Sequence, residues 1–263
     1  MGVALKKART FIPFAESEAL LYTTPEQHHH ISPSHNTPLH LTSWLTKNKD
    51  DPAINDFLPK LQENLLSRLE HPEWSGDGNE FTTGQRLQLR LRNDRMYVHK
   101  LLRLNCTTYD VRLGQDCVNP RTHSDVMYLA PESDESHPFM YAQIIGIFHA
   151  DVVNTAPGSN PKPQPMEFLW VRRYQLDIKG LLRHINWRAG FKRKRLHRVK
   201  FLPESDPNAF GFLNPDEVIR ASHLIPAFAH GRTEELLAGD SIGRLPRDGL
   251  SEDEDWNYYY VNL

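Results

Sequence analysis

A mainly β fold with a helical N-terminal arm, of the α+β class, is what three features of this 263-residue chain predict. Its strongest apolar runs, 140–148 and 166–174, are short and rich in β-branched and aromatic residues. Strand-like segments outnumber helical ones and do not alternate with them, which disfavours a parallel βαβ sheet. A single clear segment, 51–70, repeats its apolar residues at helical spacing.

Residues 1–50 read as an irregular, polar N-terminal segment. Thr23 to Thr42 is rich in His, Pro, Ser and Thr and has little to bury. The run His28-His29-His30 suggests a metal at first sight. Successive side chains on an extended segment point to opposite faces, so a polar loop is the plainer expectation. Residues 51–80 form an amphipathic helix and a linker. Ile54, Phe57, Leu58, Leu61, Leu65, Leu66 and Leu69 make one apolar face. Asp50 or Asp51 before Pro52 marks the start, and Pro59 is expected to kink the helix or start it again.

A β domain is expected over 81–235. Leu87, Leu89 and Leu91 alternate with polar residues as in a half-buried strand. Met96-Tyr97-Val98 and 104–111 are further strand candidates. Runs 140–148 and 166–174 flank a proline-rich connection and read as an antiparallel hairpin. Val199 to Leu202 resumes strand character, Asn214 caps a turn at Pro215, and 223–228 is extended. A polar tail, 236–263, ends on the aromatic run Trp256-Asn257-Tyr258-Tyr259-Tyr260-Val261, which suggests either a strand docking on the domain or a chain cut short.

Composition restricts function. The formal net charge is −2, so nucleic-acid binding requires a local patch. Cys106 and Cys117 offer neither a disulfide framework nor a zinc site by themselves. No apolar run approaches transmembrane length, and the start lacks a secretory h-region. Lys6 stands where an N-myristoylation motif needs Ser or Thr. An intracellular protein, nuclear rather than cytoplasmic, without membrane contact, is expected.

The usual phosphate-loop, dinucleotide, zincin and nucleophile-elbow motifs are missing. No cofactor, metal or catalytic residue is implied. An enzyme of unfamiliar kind, built from Asp110, Arg112, His123 and His149, is the alternative; Asp110 and Arg112 serve equally well as a structural ion pair. The best local signal is basic. Arg188, Lys192, Arg193, Lys194, Arg195, Arg198 and Lys200 are interleaved with Trp187, Phe191 and Phe201. Cations contact phosphate and aromatics stack on bases, whereas the bland alternative is a solvated loop beside a strand.

Several phrases resemble a large family of proteins from mushroom-forming fungi, associated with KDZ-type (CACTA-like) transposable elements. They include Asn105 to Arg112, Gln115 to His123, Ile145 to Ala150, Leu169 to Arg172, Ala209 to Pro215 and His223 to Arg232. The resemblance spans roughly 50–263 and implies no known activity. Cys106 and Leu113 depart from the family's usual Tyr and Arg. At the level of fold, the order of segments resembles a bromo-adjacent homology (BAH) domain, an SH3-like β-barrel that binds partners in chromatin. That similarity implies a non-enzymatic interaction module for chromatin protein, DNA or RNA, with Tyr141, Trp170 and Tyr174 as candidates for an aromatic cage; filling a core is the alternative. An inert transposon remnant would have no convergent polar site.

Overall fold

The computed structural model of the chain describes residues 28–70, 81–107, 113–130, 139–177, 196–244 and 254–262. The chain opens with strands β1 (His29–Ile31) and β2 (Pro38–His40), followed by helices α1 (Leu41–Lys47), α2 (Phe57–Glu70) and α3 (Thr83–Gln88). Strands β3 (Leu89–Leu91), β4 (Arg95–His99), β5 (Leu102–Thr107), β6 (Leu113–Val118) and β7 (Asp125–Leu129) come next. The two longest, β8 (Phe139–Asn154) and β9 (Gln164–Leu176), follow. The chain then runs through β10 (Arg198–Phe201), β11 (Phe210–Leu213), β12 (Val218–Ala221), β13 (His223–Pro226), β14 (Arg232–Thr233), β15 (Asp255–Trp256) and β16 (Tyr259–Asn262).

The β8–β9 hairpin is the spine, as the two apolar runs predict. Both strands are longer than their neighbours, so each outer edge serves several short strands in turn. Along β8 these are β7, β4 and β3; along β9 they are β10 and β11. The main ladder runs β12-β7-β8-β9-β10-β16-β13, and all its pairs are antiparallel. A bulge between Ile144 and Gly146 shifts the alternation by one residue, so that Ile147 rather than Gly146 shares the face of Ala142 and Ile144.

Alternation divides the side chains along the middle of the spine between two cores. On one face, Ala142, Ile144, Ile147, Leu169 and Val171 meet Leu102, Leu104 and Val118 of the separate β1-β5-β6 sheet. On the other, Phe148, Ala150, Phe168 and Trp170 meet Phe57, Leu61, Leu65 and Leu66 of α2. A third core, between β7, β8, β9, β10, β13 and β16, holds Met127, Tyr141, Tyr174, Val199, Phe201, Leu224, Tyr259 and Val261. The aromatic end of the chain is therefore a docked strand: β16 lies between β10 and β13.

The helical arm follows its sequence signals. Asp51 accepts from the Ala53 amide at 2.9 Å and caps a short 3-10 turn at Pro52–Ile54. The helix restarts at Phe57, with Pro59 in its first turn, where its missing N–H leaves no hydrogen bond unmade. Two expectations need correction. Leu87 is not in a strand: Thr82 and Gln85 form a capping box that starts α3, and the strand begins only at Leu89. His28-His29-His30 is not a bare loop, because β1 pairs with β5.

The hydrogen bonds among the described residues do not close a barrel. The hydrogen-bonded ladder is open, with β12 at one end and β13 at the other. These end strands are separated in sequence only by Ser222, whose amide donates to Asp125 O at 2.8 Å. Nor is the helix a separate arm, since its apolar face is part of the first core. Among the described residues no helix is long and apolar enough to cross a membrane.

Candidate binding surface

Strict alternation gives β10, β16 and β13 a core face and an outer face. Val199, Phe201, Tyr259, Val261 and Leu224 point into the third core. The residues between them, Arg198, Lys200, Tyr260, Ile225 and His223, point outward and are partly or fully exposed. The outer face is thus basic and aromatic, laid over a well-filled core.

This face continues into a corner made by two chain reversals. Phe228–His230 forms a 3-10 turn, and Gly231 takes φ 71°, a left-handed conformation that costs glycine least. The chain then pairs Arg232 with Trp256 across β14 and β15. Asn257 locks the corner by donating its side-chain amide to the carbonyls of His230, Gly231 and Arg232 at 3.0, 3.3 and 3.2 Å. Its backbone amide also donates to Gly231 O, and Ala227 N donates to Tyr258 O.

Cations and rings meet repeatedly here. The Arg232 guanidinium lies 4.6 Å from the Trp256 ring centre and that of Arg198 lies 4.3 Å from Tyr258. Phe228 meets Trp256 edge-on at 5.0 Å, and His230 meets Tyr258 at 5.2 Å. Arg198 also donates to His230 Nε2 at 3.0 Å and to the Asp177 carboxylate, which balances its charge.

Compared with known protein families, characterised proteins and solved structures, the chain matches none.

The candidates suggested by sequence fall into three groups. Tyr141, Trp170 and Tyr174 are at most 3% exposed and belong to two different cores, which corrects the cage expectation. Trp170 packs edge-on against Trp44 and Phe57. Tyr174 stacks on Phe201 at 4.1 Å and donates to Asp125 at 3.0 Å. Burial pushes the Tyr141 phenol up to about 12, as expected of a core ring. Of the basic run, Arg198 and Lys200 lie on the outer face, while Arg188, Lys192, Arg193, Lys194 and Arg195 lie outside the described residues.

The residues of the alternative enzyme are not brought together by any contact among the described residues. Asp110 and Arg112 fall outside them. His123 is exposed on a turn bridged to Asn119, whereas His149 is buried in the sheet.

Sequence reasoning missed two histidine arrangements. His149 Nδ1 and His99 Nε2 share a hydrogen bond of 2.6 Å, with Tyr97 and His35 stacked alongside. Burial holds both His99 and His149 below the usual histidine range, and their mutual proximity further depresses His149. His149 Nε2 has no hydrogen-bond partner among the described residues. His29 stands between two carboxylates, with Nδ1 at 2.7 Å from Asp216 and Nε2 at 2.7 Å from Glu167. Burial alone would depress it; the hydrogen bonds and charges of Asp216 and Glu167 override this and raise it to about 9. No three His, Cys, Asp or Glu side chains among the described residues gather to hold a metal.

Proposed function

We propose that this chain is a non-enzymatic interaction module of a transposon-associated nuclear protein, and that its partner is nucleic acid. The observation that carries this reading is the outer face of β10, β16 and β13, where Arg198, Lys200, Tyr260 and His223 cover a closed aromatic core. Phosphate is recognised by cations on a firm backbone, and a sheet face is a firm backbone. In the sequence the basic run from Arg188 to Arg195 shortly precedes β10.

A BAH-like or SH3-like barrel belongs to the same proposal. Its support is the partner switch at Ser222, where one stretch of backbone serves β7 with its first half and β16 with its second. Small barrels turn their corners with strands that change partners in this way.

Fluorescence anisotropy of the full chain tests the function, using labelled DNA and RNA oligonucleotides and, in parallel, histone-tail peptides. Nucleic acid is expected to bind at about 50 mM salt and to weaken steeply by about 200 mM, because each phosphate contact releases counterions. Lys200→Ala is expected to reduce the salt slope by about one contact. Peptide binding without nucleic-acid binding would transfer the partner to chromatin protein. An absence of all binding at low salt would leave the inert-remnant alternative standing.

A further inference from the structure

We infer that residues 32–37, between β1 and β2, form a flap held down by the His35 ring, and that protonation of the buried His99–His149 pair beneath it lifts the flap. The device is independent of the partner proposed above.

The flap has a firm frame and a loosely held middle. β1 is fixed by pairing with β5 and by His29 between Asp216 and Glu167. β2 is fixed by pairing with β4, and Val98 N donates to Thr37 O at 3.0 Å just before it. Between these anchors Ser34 N donates to Ser32 Oγ and Asn36 N donates to Ser34 Oγ, bonds that stay inside the flap. Among the described residues, what joins this middle to the sheet is one ring. His35 is exposed; it stacks on Tyr97 at 4.2 Å and leans over His149 at 4.9 Å.

The pair beneath it is built to take one proton. His99 and His149 are 7% and 4% exposed and share a single hydrogen bond. A neutral imidazole carries one N–H, so in the neutral pair one ring donates to the other. One added proton makes that bond charge-assisted, whereas a second would set N–H against N–H and break it. The charge arrives directly under His35, which opposes it on either ring. β4 adds Arg95 and Tyr97 on the same face, β8 adds Asp151, and β9 adds Glu167. The two carboxylates favour the charge, but Glu167 already accepts from His29 and Asp151 lies 3.8 Å from Arg92. The strands are tied by their ladders, so the flap is the part that gives way. Its departure relieves the repulsion and lets water reach His149 Nε2, which has no partner among the described residues. Burial holds both rings below the usual histidine range, so the flap is closed at neutral pH and opens in acid.

Hydrogen exchange of the full chain tests this, read residue by residue by NMR at about pH 7 and about pH 5 and corrected for intrinsic exchange rates. The Asn36 and Val98 amides are expected to lose protection by about tenfold per pH unit, the dependence on one bound proton, while the amides of 144–148 in the spine keep theirs. His149→Phe keeps a ring under His35 and takes no proton, so its flap should stay protected at pH 5. His35→Ala alters an exposed side chain and should show at pH 7 the loss that the parent shows at pH 5, with no further fall in acid. Protection of Asn36 and Val98 that is the same at both pH values overturns the inference, as does acid opening that persists in His149→Phe. So does a spine that loses protection together with the flap, which would mean global unfolding, or a His35→Ala chain as protected at pH 7 as the parent. Should His149→Phe fail to fold, the parent and His35→Ala decide between these outcomes.

Discussion

Glu167 accepts a hydrogen bond from His29 and stands directly across the β8–β9 ladder from His149. The two histidines respond to pH with opposite signs. For His29 the folded pKa, about 9, exceeds the unfolded 6.5, so its stabilisation is complete below 6.5 and is lost as pH rises through about 9. A rise from 6.5 to about 9 corresponds to about 3 kcal/mol at 1.36 kcal/mol per unit. Asp216 is 56% exposed, and solvent screening reduces this to about 1–2 kcal/mol. Denaturation of His29→Gln beside the parent should give that difference at pH 6 and a vanishing one above pH 9. His99 and His149 have folded values below 6.5, so the unfolded chain binds more protons in mild acid. Stability should therefore fall as pH drops below 6.5, and His149→Phe should flatten that slope in urea titrations run between pH 5 and 7. A parent whose stability is flat over that interval would contradict a neutral pair. None of this was legible in the sequence, where His35, His99, His149 and His29 are scattered and only the strand register brings them together.

At the scale of elements, the signals that succeeded were those with a local mechanism. Helical spacing in 51–70, Asp51 before Pro52, Asn214 before Pro215 and the two long apolar runs all appear as expected. The failure at Leu87 is equally local: the alternation of Leu87, Leu89 and Leu91 suits a strand, but the Thr82–Gln85 capping box commits the segment to a helix before Leu89. The cage failed for a different reason, since a sheet's buried aromatics and its exposed ones look alike until the faces are known. Which face of α2 does the work can be measured. Leu65 is buried against the sheet, so Leu65→Ala should cost about 3 kcal/mol, while Leu58→Ala on the exposed side should cost well under 1 kcal/mol. Equal losses at the two positions in chemical denaturation would show that the helix does not pack through this face.

For the whole molecule, the late chain segment holds the sheet together chemically as well as geometrically. Asp255 accepts both arms of the buried Arg172 guanidinium at 2.9 and 2.8 Å, beneath the Phe201 ring, and lies 3.4 Å from Arg244. Asp255→Ala would strand that cation in the core, and a loss of about 3–5 kcal/mol in unfolding free energy is expected. Removing residues 255–263 takes away β16 too, so β10 and β13 lose their shared partner. The shortened chain should lose its cooperative thermal transition, as scanning calorimetry would reveal. A sharp transition near the parent's temperature would count against the central position of β16. That position also governs how the protein can be made. A ribosome releases β10 and β13 well before β16, yet neither can complete its pairing until residues 259–262 have left the exit tunnel. Until then the nascent chain exposes two waiting strand edges, and the window for chaperone capture closes only when β16 has emerged to fill the place between them.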